Sequence, residues 1–122
     1  MTSYRRNIGP FVEREIAKSL EAQKKGHFDK AFSFLENAHV LGQPSTYWHI
    51  KVHYLMLVWG IKQKDFREVW GQVIRLIGAA LLTAVKGVPE GNTGGSNVSP
   101  LKPMRIDPNL ANIIQKAKND KD

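Results

Sequence analysis

Residues 47–61 read YWHIKVHYLMLVWGI, and their pattern decides the fold. Trp48, Ile50, Val52, Tyr54, Leu55, Met56, Leu57, Val58 and Trp59 place an apolar side chain at almost every second or third position. A helix that is apolar nearly all round belongs at the centre of its fold, so the rest of the chain should pack around this one.

Working towards the N-terminus, Gln43-Pro44-Ser45-Thr46 reads as a turn, with Ser45 or Thr46 as the helix N-cap. Before it, Phe28, Ala31, Phe32, Leu35, Ala38 and His39 recur at helical spacing and end at Gly42. Earlier still, Phe11, Ile16, Leu20 and Gln23 alternate with Glu13, Glu15, Lys18 and Glu21, an amphipathic helical pattern. Pro10 fits its first turn, where a missing N–H costs nothing, and Gly26 supplies the left-handed stop. Towards the C-terminus, Asp65 caps a fourth helix over about residues 66–85, carrying Val69, Val73, Leu76, Ile77 and Ala80. Residues 87–108 then turn rich in Gly, Pro, Asn and Ser and read as an irregular segment packing on the domain. A short amphipathic helix over 109–118 follows, and 119–122 reads as a frayed tail.

The predicted fold is therefore all-α: two antiparallel helical hairpins, a Gly/Pro-rich C-terminal loop and a short final helix. Phe66-Arg67-Glu68-Val69 falls 38 residues after Phe28-Asp29-Lys30-Ala31, a period like that of tetratricopeptide hairpin repeats. Two units are fewer than such a stack normally needs, so a compact tetratricopeptide-like bundle is expected.

The bulk composition narrows the function classes. The 122 residues suit one domain spanning 1–122, large enough to bury about two thirds of its unfolded surface. There is no cysteine, which removes disulfides, thiolate metal sites and cysteine nucleophiles and fits a reducing compartment. The first residues lack a secretory pattern. The longest apolar stretch, residues 73–85, is interrupted by Arg75, is too short to span a bilayer and reads as a buried helix. A cytoplasmic protein with no membrane partner is expected. The net charge of +7 invites a nucleic-acid reading. Its Lys and Arg are dispersed, however, without interleaved aromatics, which argues against sequence-specific recognition of nucleic acid.

All four histidines lie between positions 27 and 53. Glu36 and His39 are three apart, and His49 and His53 four apart, so each pair shares a helix face. If the two helices form a hairpin across Pro44, His39 comes close to His49. Glu36, His39, His49 and His53 would then converge on one divalent metal such as zinc or iron. The competing reading makes the histidines hydrogen-bonded core residues, with His27 on the surface.

On the fourth helix Glu68, Gln72 and Arg75 form a polar stripe. Glu68 would serve as a further ligand or base and Gln72 or Arg75 as an anion anchor, although such a stripe more commonly marks the solvated face. Asn92, Thr93 and Asn97 lie in a glycine-rich run able to present backbone N–H groups to an anion. No Lys-Ser/Thr dipeptide closes that run as a phosphate loop requires.

His39-Val40-Leu41-Gly42-Gln43 and the GNTGGSN run of residues 91–97 together resemble the signature motifs of a short bacterial family, the domain of unknown function numbered 3703. The resemblance extends from Phe11 to Met104 and implies one intact domain without assigning an activity. It also implies that Glu36, His39, His49 and His53 occupy positions typical of that family. The expected function is a small binding module holding a divalent metal. The alternatives are a helical-repeat module for a protein or peptide partner, with Trp48, Trp59 and Trp70 partly solvent-accessible, and a metal-dependent enzyme.

Overall fold

A computed structural model describes residues 2–82 and 104–119 of the chain. They form five helices: α1 (Thr2–Lys24), α2 (Phe28–Gly42), α3 (Thr46–Gln63), α4 (Phe66–Leu82) and α5 (Pro108–Asn119). No strand occurs among the described residues. α1 pairs with α2 and α3 with α4 as two hairpins, α2 joins them along α3, and α5 lies against α1 and α2.

The helix ends follow the expected chemistry. Gly26 adopts φ +79°, and its neighbour His27 donates its N–H to Ala22 O at 2.9 Å, closing α1 in a Schellman turn. Ser45 precedes α3 and accepts from the Trp48 N–H at 3.4 Å. Asp65 Oδ1 accepts from the Glu68 N–H at 3.0 Å and caps α4.

Three expectations need correction. α1 begins at Thr2, so Pro10 sits inside the helix rather than in its first turn. An interior proline costs about 3 kcal/mol, and the preceding turns offset that through burial. Tyr4, Ile8 and Val12 recur every four residues and are all buried, each contributing roughly 1.5–3 kcal/mol. The Tyr4 hydroxyl donates to Leu41 O at 2.7 Å, and Trp48 Nε1–H donates to Arg5 O at 3.0 Å. Tertiary contacts thus carry the helix past the proline.

The second correction concerns α3, which is not buried all round. Trp48, Val52, Met56 and Trp59 enter the core, while Tyr54 and Ile61 are exposed. The third concerns α4. Its polar residues Glu68 and Gln72 are buried, whereas Phe66, Trp70, Ile74 and Ile77 lie exposed. The polar stripe is therefore the inner face of α4, and the described part of the apolar run that read as a buried helix turns Ile74 and Ile77 outward. No described helix is long and apolar enough to cross a membrane.

Candidate metal centre

Two glycines set the distances on which the site depends. A Cβ on Gly42 would stand 2.7 Å from Trp48 Cβ, so only glycine lets the end of α2 close this tightly on the first turn of α3. That approach brings His39 of α2 beside His49 and His53 of α3. On the far side, a Cβ on Gly60 would meet Val69 Cγ2 at 3.2 Å and Val69 N at 3.3 Å. α4 thereby lies close enough to α3 for Gln72 to reach His53.

The three histidines are buried, and their Nε2 atoms turn towards one another. His53 Nε2 lies 3.2 Å from His39 Nε2 and 3.1 Å from His49 Nε2. The ring centroids are 4.7–5.0 Å apart, and one nitrogen from each ring lies within 4.8 Å of the others. With metal–nitrogen bonds of about 2.0–2.1 Å, two imidazole donors are about 2.9 Å apart in octahedral geometry and about 3.4 Å apart in tetrahedral geometry. The two contacts that His53 makes fall between those limits, and the third pair, His39 with His49, lies within 4.8 Å.

The tautomer of His53 follows from its surroundings. Gln72 Nε2 donates to Glu68 Oε2, and an ionised carboxylate only accepts. The Gln72 amide oxygen is thereby left facing His53 Nδ1 at 2.6 Å. His53 must donate there, so in the neutral ring its Nε2 lone pair points into the cluster. A single in-plane lone pair accepts one good hydrogen bond, not two. A divalent cation at the point shared by the three rings would instead meet all three nitrogens, which is how neutral imidazoles bind metal.

The electrostatics keep the His49 and His53 rings neutral. Burial lowers the His49 pKa to about 4. Burial also lowers that of His53 to about 3, helped by the charge of His49 and of Arg75 and opposed by the hydrogen bond to Gln72. Protons therefore compete weakly for these nitrogens at neutral pH. Glu36 is raised above the ordinary carboxylate range, by burial first and then by the negative charge of Glu68. Burial lowers the Arg75 guanidinium, with Glu68 acting in the opposite direction.

Of the residues singled out in the sequence, His39, His49 and His53 come together. Glu36, expected with them, is not among the converging donor atoms, although it senses Glu68. Glu68 and Gln72 are buried rather than solvated, and neither belongs to the converging donor group. They back the site through His53, a role the stripe pattern alone did not reveal. The usable signal was their i, i+4 spacing, which matches that of His49 and His53 on the helix they pack against. Arg75 Nη1 donates to Gly71 O at 3.2 Å. His27 is exposed, as expected. Asn92, Thr93 and Asn97 lie outside the described residues. No curated protein and no solved structure matches this chain. One family model matches residues 6–114, and its description is a protein of unknown function (DUF3703).

Proposed function

Because the chain belongs to the DUF3703 family, whose description assigns no activity, we propose a function from its own geometry: it is a small helical module that binds a divalent transition metal through His39, His49 and His53. The observation that carries this reading is the convergence of three buried Nε2 atoms with His53 locked in the tautomer that offers its lone pair. An all-imidazole donor set suits zinc or iron. Three imidazoles leave at least one coordination position for water or another donor, as in zinc sites that are not purely structural. Gln72 and Glu68 act behind the ligand, holding His53 and placing negative charge near the cation.

Elemental analysis of protein purified without a histidine tag tests the proposal, beside a His49→Ala, His53→Ala double variant whose helicity is followed by circular dichroism. Near-stoichiometric metal in the parent protein, lost in a variant that stays helical, is the expected outcome. A parent protein that stays metal-free after incubation with zinc, iron and copper makes the histidines core residues and ends the proposal. A His39→Ala variant, which leaves the His53–Gln72 contact intact, gives a second measure should the double variant unfold.

A further inference from the structure

We propose that the outward face of α4 is the interface of a homodimer in which two copies of the chain pack their α4 helices antiparallel. Phe66, Trp70, Ile74 and Ile77 are 76, 67, 51 and 56 % exposed, and their spacing places them in one stripe along the helix. A large aromatic side chain offers about 150–250 Å², so these four leave on the order of 450 Å² of apolar surface uncovered on each copy. Patches above a few hundred Å² are uncommon on a monomer and mark interaction sites. Two such faces together approach the roughly 1,000 Å² that a specific interface requires.

The stripe is also self-complementary. Its aromatic residues stand at the N-terminal end and its isoleucines at the C-terminal end. Antiparallel pairing about a twofold axis sets Phe66 and Trp70 of one copy against Ile77 and Ile74 of the other, and the reverse contacts follow by symmetry.

Charge favours the same arrangement. Lys62, Lys64 and Arg67 are exposed around the start of α4, with Asp65 among them. Parallel pairing would bring the two basic ends together. Antiparallel pairing separates them by the length of the stripe, about 16 Å at 1.5 Å per residue, beyond a Debye length of about 8–10 Å. Each basic end then lies towards the C-terminal half of the other α4, where the helix dipole favours cations. The inner face of α4 is already occupied by Glu68 and Gln72, so among the described residues its outer face is the one left to meet a second copy. This pairing does not depend on metal at the histidines.

Sedimentation equilibrium of the full chain in chelator, across a wide concentration range, tests the proposal. The parent protein should approach twice 13.8 kDa. Trp70→Glu and, separately, Ile74→Glu should return it to the single mass with helicity unchanged, because both side chains are exposed in the isolated fold. Each charge enters the twofold interface twice, so dimer affinity should fall on the order of a hundredfold. Leu20→Glu, on the exposed side of α1, should leave the dimer intact. A parent protein of single mass at every concentration overturns the proposal, and the α4 face then serves another occupant, such as an acidic helix or an anionic lipid surface. A dimer that Trp70→Glu does not weaken, or that Leu20→Glu weakens equally, overturns it as well.

Discussion

Acidification should unfold this protein through its histidines, and the size of the effect follows from their burial. In the unfolded chain the rings titrate near 6.5, whereas in the folded chain His49 is lowered to about 4 and His53 to about 3. Between those values unfolding takes up protons, so stability is fully present above about pH 7 and falls as pH drops. At about pH 5 the unfolded state has gained nearly 2 kcal/mol from each ring relative to neutrality, at about 1.4 kcal/mol per unit. The two rings share one cluster, so the protons enter as a coupled pair. Their combined effect is close to 4 kcal/mol, a large part of the roughly 5–15 kcal/mol that holds a domain together. Glu36 acts with the opposite sign. Its folded pKa is raised, so its protonation on acidification favours the folded state and trims the loss.

The assay is urea unfolding of metal-free protein, followed by helical circular dichroism, at about pH 7, 6 and 5. With a slope of about 1–3 kcal/mol per molar urea, the midpoint should drop by roughly 1–4 M over that range. A midpoint that holds steady, or rises, between neutrality and pH 5 refutes the buried neutral state of His49 and His53.

Two further substitutions probe how the site is held. Gln72→Leu keeps the volume but removes the acceptor for His53 Nδ1. It should weaken metal affinity by about 10–100-fold in a chelator competition while leaving helicity in place; unchanged affinity would remove Gln72 from the site. Gly42→Ala places a Cβ 2.7 Å from Trp48 Cβ. The α2–α3 corner must open, with a loss of about 1–3 kcal/mol in thermal unfolding and weaker metal binding, because His39 moves with α2; a stability equal to the parent's would show the corner yields freely.

The local chemistry of the helices was legible residue by residue. Gly26, Ser45 and Asp65 act at helix ends through groups within a few positions of themselves, so short-range reasoning suffices for them. The same holds for His49 and His53, whose four-residue spacing alone places them on one face, and the turn at Pro44 made their approach to His39 foreseeable. Glu36 satisfied the same spacing rule, yet the rule places it only on the His39 face of α2 and does not bring it to the cluster. Pro10 was misplaced because its cost is local, whereas what offsets it comes from Leu41 and Trp48, more than thirty residues away.

α4 marks the boundary most clearly. Its sequence contains two periodic stripes, one apolar and one polar, and amphipathicity by itself says only that the two faces differ. Burial of the apolar stripe is the default when nothing else competes. Here the buried imidazole of His53 requires an acceptor, which Gln72 on the inward face of α4 supplies. The sequence by itself determined an all-α chain, the helix ends at Gly26, Ser45 and Asp65 and the spacing of its histidines, because these rest on neighbours along the chain. Only the tertiary structure decided which face of α4 turns inward and which histidine nitrogens meet, because both depend on groups brought together across three helices.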